Sequence, residues 1–125
     1  VQFDQNTTQT ILMTTGPASY GANARHFGFR VSNGTLYGIT DDGTGETQKS
    51  LVGSIATASP YELEAILIPG VSVAFYVNGT LTDTATTSIP SGTTDAQYLF
   101  DFLIHTSAAS VRSFRFTFYD FWQQN

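Results

Sequence analysis

Cysteine is absent from this chain of 125 residues, and charged side chains make up only 12% of it. Without cysteine, disulfides, thiolate nucleophiles and cysteine-based zinc sites are excluded. Hydrophobic residues reach 41%, which is ordinary for a globular protein, so disorder of the whole chain is not expected. Apolar packing must therefore hold the fold, and the length predicts a single domain spanning residues 1–125.

Basic residues are also few, and the net charge is −5. The five basic side chains form no run along the chain: Arg25, Arg30, Lys49, Arg112 and Arg115. A nucleic-acid partner needs a basic surface to neutralise phosphates, so none is expected. No apolar run approaches the roughly 18 residues of a membrane span, and a membrane partner is not expected either.

Hydroxyl, amide and glycine residues must supply the solubility that charge does not. Such a surface, together with 10 Phe and 6 Tyr, is typical of β-rich extracellular or virion-type proteins, and we expect that location. The chain begins at Val1 and carries no signal-peptide pattern, so we expect a processed product or a piece of a longer protein.

Strand alternation runs through nearly every segment, whereas helical periodicity is hard to find. Asn33-Gly34 and Asn78-Gly79 are signals for tight hairpin turns. Turn signals recur about every 8–12 residues and delimit about nine or ten strands, the pattern of an antiparallel sandwich or barrel. The expected fold class is thus all-β, with little or no helix.

The alternation also assigns faces to individual strands. In "VSVAFYV" it predicts that Val73, Phe75 and Val77 point into the core. In "PYELEAILI" it sets Glu62 and Glu64 on the opposite, solvated face, which explains them without an acid/base role.

Three segments resemble a known family. They are "YELEAILIPGVSVAFYVNGTLTDTATTSIPSG", "FGFRVSNGTLYGITDDG" and "LIHTSAASVRSFRFTFYDFW". Together they are similar to concanavalin A-like jelly-roll modules of tailed-phage virion proteins and, more distantly, to laminarinase-like glycoside hydrolases and lectins. The resemblance spans Arg25 to Trp122 and implies a two-sheet antiparallel jelly-roll sandwich.

The resemblance to hydrolases permits a test for catalysis. Retaining glycosidases need two carboxylates about 5 Å apart, and in that family an E-x-D-x-E strand supplies them. The counterpart here is "TLYGITDDG", in which we place Asp41 and Asp42 beyond the end of the strand, in the loop. No catalytic residue is therefore predicted, and the chain is not expected to be an enzyme.

Metal ligands are scarce as well. The loop "DDGTGE" offers Asp41, Asp42 and Glu46 as weak candidates for a structural calcium ion, although their spacing departs from the EF-hand pattern. We favour a solvated loop and expect no cofactor. The two histidines, His26 and His105, lie on the polar phase of their strands, which favours a role at the surface or on a sheet face.

Three functions stay open. The first is a non-catalytic virion module (a capsid decoration, fibre or tail-associated protein) that forms a homo-oligomer, most simply a trimer, and binds other virion proteins. The second is a lectin-like glycan-binding module, and the third is a glycoside hydrolase. Candidate ligand or interface residues are Arg30, Tyr37, Asp101, His105, Tyr119 and Trp122; Trp122 is equally compatible with a core position.

Overall fold

A computed structural model describes residues 25–56 and 59–91 in full. It also describes the backbone of four strands outside those ranges, namely Gln2–Phe3, Gln9–Thr15, Tyr98–Ile104 and Phe114–Arg115. The described residues contain no helix, so none of them forms a helix able to cross a membrane.

The described residues form ten strands. In chain order they are β1 Gln2–Phe3, β2 Gln9–Thr15, β3 His26–Ser32, β4 Thr35–Asp41, β5 Glu46–Val52, β6 Leu63–Ile68, β7 Ser72–Val77, β8 Thr80–Ala85, β9 Tyr98–Ile104 and β10 Phe114–Arg115. All the strand pairs among them are antiparallel. The all-β class expected from the alternation is confirmed.

The strands form a five-stranded sheet, a three-stranded sheet and a short pair. The five-stranded sheet has the order β5-β4-β3-β2-β9, and the three-stranded sheet has the order β6-β7-β8. The pair consists of β1 and β10. Of the segment "LIHTSAASVRSFRFTFYDFW", the structure describes the backbone of Leu103 and Ile104 in β9 and of β10, Phe114–Arg115, and its other residues lie outside the described part.

Both predicted Asn-Gly turns are confirmed. Asn33 and Gly34 have φ angles of 49° and 75°, and Asn78 and Gly79 have 52° and 73°. Positive φ at both central residues is the signature of the type I′ turn, whose twist matches that of the flanking strands. Each turn joins strands that pair directly across it, β3 with β4 and β7 with β8.

Among the residues described in full, one hydrophobic core is formed by side chains of both larger sheets. The predicted inward face of β7 is confirmed, since Val73 and Phe75 are fully buried and Val77 is 8% exposed. The Phe75 ring meets the ring of Phe29 on β3 edge to face, with centroids 5.5 Å apart. Burying aromatic area in this way dominates core energetics, and the edge-to-face pair adds to it.

Gly38 on β4 lets the two sheets approach at Phe75. A Cβ atom built on Gly38 would lie 2.7 Å from two carbons of the Phe75 ring, closer than real Cβ contacts occur. Since Phe75 is fully buried, its ring cannot swing away into solvent. Glycine at this position is therefore a packing requirement.

A β-bulge changes the face that β8 presents. Leu81 pairs with Tyr76, but Asp83 pairs with Phe75, so Thr82 is the extra residue. As a result Leu81 faces outward at 52% exposure, while Ala85 is buried in the core at 2%. Strict alternation would have put both residues on one face.

The segment that follows β8 ties the two sheets together. The carbonyl oxygen of Thr87 accepts hydrogen bonds from the hydroxyls of Thr40 and Thr47, at 3.0 and 3.3 Å. The carbonyl oxygen of Pro90 accepts one from the amide of Gly70, in the turn after β6, at 3.0 Å. Thr40 is thus buried with its hydroxyl satisfied.

Candidate functional site

A row of ionisable residues crosses the five-stranded sheet on the face that points away from the core. His26 on β3 pairs with Asp41 on β4, and Asp41 pairs with Glu46 on β5. Directly paired residues of neighbouring strands share a face. We call this face the outer face of the five-stranded sheet, and Ile39 lies on it one pair further along β4.

Glu46, at the β5 end of the row, makes its ionic contacts. Its Oε2 lies 3.0 Å from His26 Nε2 and accepts a hydrogen bond from Arg30 Nη2 at 2.8 Å. Its Oε1 accepts a second hydrogen bond from Arg30 Nη1, so the contact with the guanidinium is bidentate. This geometry holds the Glu46 carboxylate between two donors and orients all three side chains.

The hydrogen bonds keep Glu46 ionised. Burial acts to raise the pKa of Glu46, but hydrogen bonds from His26 and Arg30, with the Arg30 charge, outweigh it and lower the pKa to about 2. Because the ionised carboxylate only accepts, His26 donates from Nε2 in this contact. A carboxyl group with such a pKa is not suited to donate a proton near neutral pH.

Two members of the row, His26 and Asp41, are buried, whereas the Glu46 side chain keeps 22% exposure. His26 and Asp41 are each 1% exposed, so of the two positions expected for His26, at the surface or on a sheet face, the structure places it on the sheet face. Asp41 was predicted to lie in the loop, but it is the last residue of β4. Alternation assigned His26 correctly to the face opposite Phe27, but it does not reveal whether that face is covered.

The loop that connects β4 to β5 uses its own carboxylates. Asp41 Oδ1 accepts hydrogen bonds from the amides of Gly43 and Gly45, at 2.7 and 3.3 Å. Asp42 Oδ1 accepts them from the amide and hydroxyl of Thr44, at 2.9 and 2.6 Å, and the side-chain bond is the largest cause that lowers the Asp42 pKa. These are Asx turns, a local reason for the "DDGTGE" sequence.

The same contacts bear on the calcium hypothesis. Within the ranges the structure describes, no group of three or more Asp, Glu or His side chains is placed to hold a metal ion. Glu46 is engaged by Arg30 and His26, and the loop amides occupy one oxygen each of Asp41 and Asp42. These contacts account for the three carboxylates without a metal ion.

Several candidate ligand residues fall on one sheet face. Arg30 and Tyr37 pair directly across β3 and β4, and both are half-buried. The backbone register places Asp101 opposite Leu12, and Leu12 opposite Gly28, which is on the same face as Arg30. The outer face of the five-stranded sheet thus unites three residues that sequence reasoning selected separately.

The remaining candidates are His105, Tyr119 and Trp122. All three lie outside the described residues.

The three-stranded sheet has an exposed apolar face that sequence reasoning missed. Its members are Ile66, Ile68 and Leu81, at 38%, 54% and 52% exposure, with Val71 at 60% in the adjoining turn. We call these four residues the apolar patch. The signal was present in "ELEAILI", where Ile66 and Ile68 continue the phase of Glu64. The predicted exposure of Glu62 and Glu64 is confirmed.

Comparisons with known proteins identify no relative from which a function could be inferred. No family model, no curated protein and no solved structure matches this chain.

Proposed function

We propose that this chain is a non-catalytic structural module of a virion that acts through protein–protein contacts. The apolar patch carries the proposal, because four large aliphatic side chains exposed on one sheet and its turn favour an association surface. The scarcity of charge supports it, since covering an uncharged surface requires no desolvation of unpaired ions.

The finer architecture belongs to the same proposal. Two antiparallel sheets that enclose one core are compatible with a concanavalin A-like jelly roll, which is also what the resemblance of residues 25–122 to phage virion modules implies. Such modules assemble with closed symmetry, and we propose a homotrimer that binds further virion proteins at the particle surface.

The ionisable row supports a non-catalytic role. Asp41 and Glu46 are paired carboxylates, as a glycosidase would need, but Glu46 is ion-paired with a pKa of about 2 and Asp41 is 1% exposed. Glu46 is therefore not suited to be the proton donor, and the buried Asp41 is not accessible to a substrate. Glu62 and Glu64 are two further carboxylates on one sheet face. Glu64 lies on β6, Glu62 immediately precedes that strand, and both are exposed.

Replacement of Ile68 and Leu81 by Asp tests the proposal. Both side chains are more than half exposed, so the fold should tolerate the change, while a charge in the patch should oppose association. Sedimentation velocity of the wild-type chain should reveal an oligomer that the double variant loses. The matched control is Ser54→Asp, an exposed position away from the patch, which should leave the oligomer intact. A wild-type chain that stays monomeric up to high concentration and binds no particle protein overturns the proposal.

A glycan-binding module is the second candidate. It is favoured by the pairing of Tyr37 with Arg30 on a face that the backbone register shares with Asp101, because tyrosine and hydrogen-bonding residues suit a sugar. A glycan array decides it: binding that Tyr37→Ala abolishes supports a lectin, and absence of binding across the array removes this candidate.

A further inference from the structure

The two Asn-Gly turns are matched in sequence and in topology. Each carries the tripeptide Asn-Gly-Thr, and each is a two-residue loop, closed by Ser32 paired with Thr35 and by Val77 paired with Thr80. Both asparagines are exposed and have positive φ. Any difference in their chemistry must therefore come from their surroundings.

The surroundings differ at the asparagine side chain. Asn78 Oδ1 accepts a hydrogen bond from the amide of Glu62 at 3.0 Å, and the Asn78 amide donates to the Glu62 carbonyl at 2.8 Å. These contacts hold both the backbone and the side chain of Asn78 against the residue that precedes β6. Among the residues that the structure describes, the side chain of Asn33 has no hydrogen-bond partner. The contact that anchors its turn is made by Gly34, whose carbonyl accepts from the amide of Ile55 at 2.8 Å.

A free asparagine followed by glycine is chemically labile. The glycine nitrogen loses its proton to base and attacks the side-chain Cγ, which lets ammonia leave and closes a succinimide ring. Water then opens either of the two ring C–N bonds and yields aspartate or isoaspartate. Glycine favours the attack because no Cβ shields its nitrogen, and asparagine is among the thermolabile residues for this reason.

We propose that Asn33 is a selective deamidation site of the folded protein and that Asn78 is protected. Attack requires the Asn side chain to rotate toward the nitrogen of the next residue. Asn33 can sample that rotamer freely, whereas Asn78 must first break its hydrogen bond to Glu62. One net hydrogen bond corresponds to a rate ratio of about three- to tenfold. The product adds a carboxylate at the β3–β4 turn and, as isoaspartate, an extra backbone methylene where the type I′ geometry leaves no room for it.

Trypsin separates the two sites, which makes the test direct. Cleavage after Arg30, Lys49 and Arg112 gives peptide 31–49, in which Asn33 is the sole asparagine, and peptide 50–112, in which Asn78 is. The folded chain is incubated at mildly alkaline pH, digested, and followed by tandem mass spectrometry for the conversion of amide to acid at each site. Asp42-Gly43 can also form isoaspartate, but without that mass gain, so it does not interfere.

The unfolded chain is the control. In guanidinium chloride at the same pH the two sites should react at similar rates, since both are Asn-Gly-Thr, and the three- to tenfold preference for Asn33 should appear only on folding. Glu62→Pro removes the donor to Asn78 and should raise the rate at Asn78 alone. If circular dichroism shows that this variant does not fold, the ratio of the two deamidation rates, compared between the folded and the unfolded wild-type chain, still tests the proposal. The proposal is overturned if folding leaves the ratio of the two deamidation rates unchanged, or if Asn78 reacts faster than Asn33. Faster reaction at Asn78 would mean that the rate is governed by access of base to the glycine nitrogen, since Gly79 is exposed and Gly34 is buried.

Discussion

The two larger sheets treat their outward-facing sides in opposite ways. On the five-stranded sheet the outer face buries His26, Asp41 and Ile39 almost completely. On the three-stranded sheet the outward side leaves Ile68 and Leu81 more than half exposed. Ionisable side chains are thus buried on one sheet, while aliphatic surface meets solvent on the other.

The contrast shows that the free-energy cost of a buried charge and that of exposed aliphatic surface are offset in different ways. Buried charge is tolerated on the five-stranded sheet because Glu46 receives donors from Arg30 and His26 on both of its oxygens. No such local compensation exists for exposed aliphatic side chains, since only removal from water stabilises them. The Glu46 carboxylate on the first face is thus paired within the chain, whereas the aliphatic side chains on the second face stay exposed.

Phe75→Ala should have the largest effect, because this ring fills the core that both sheets share. We expect the free energy of unfolding to fall by about 3–5 kcal/mol, as for other large core truncations. Urea denaturation measures it. A loss below about 1 kcal/mol would show that the register assigned to β7 is incorrect.

Glu46→Ala should cost less, and it breaks the compensation on the five-stranded sheet. Removing one partner of a buried ion pair costs 3–5 kcal/mol, and since the Glu46 side chain keeps 22% exposure we expect about 2–3 kcal/mol. Thermal unfolding of this variant beside Lys49→Ala, an exposed cation on the same strand, isolates the role of the ionic contacts. Equal stability of the two variants would contradict it.

Gly38→Ala tests the close contact between the two sheets and should lower the stability of the fold. The new methyl group would meet the Phe75 ring, and overpacking of this kind costs about 1–3 kcal/mol. Gly53→Ala, where a Cβ meets no atom within 4 Å, is the matched control for the loss of a glycine. The prediction fails if both variants unfold at the same urea concentration.

Acid should lower the stability of the fold through Glu46 on the five-stranded sheet. The pKa of Glu46 is lowered from 4.5 to about 2, so the folded state binds its proton less readily than the unfolded chain does. The stability from this group is therefore complete above about pH 4.5 and is lost as the pH falls toward 2. Urea unfolding at a series of pH values, compared between wild type and Glu46→Gln, should show a steeper acid loss in the wild type. Parallel curves would exclude Glu46 as a source of the acid sensitivity.

Leu81→Thr should have the smallest effect on the fold. Leu81 is 52% exposed, so the stability of the monomer should change by no more than about 0.5 kcal/mol. Association measured by sedimentation should weaken if the apolar patch is a contact surface. A loss of monomer stability comparable to that of Gly38→Ala would place Leu81 in the core instead.

Much of the architecture was predictable because it rests on local rules. The φ > 0 requirement of the type I′ turn selects Asn-Gly, so both hairpins were placed by their dipeptides. The period of two then assigned Phe75 to the core and Glu62 to solvent. The ion pair of Arg30 with Glu46 was not predicted, because it joins β3 to β5 across the intervening strand β4 and between residues that do not lie in one pairing row.

What the sequence by itself determined is the all-β class, the two tight turns and the inward face of β7. Only the tertiary structure decided that His26 is buried, that Asp41 belongs to a strand, and that the bulge at Thr82 turns Leu81 outward while Ala85 enters the core. The physical reason is that alternation and turn chemistry act between neighbours in the chain. Burial and register depend instead on which surfaces meet, and those contacts join residues that lie far apart in sequence.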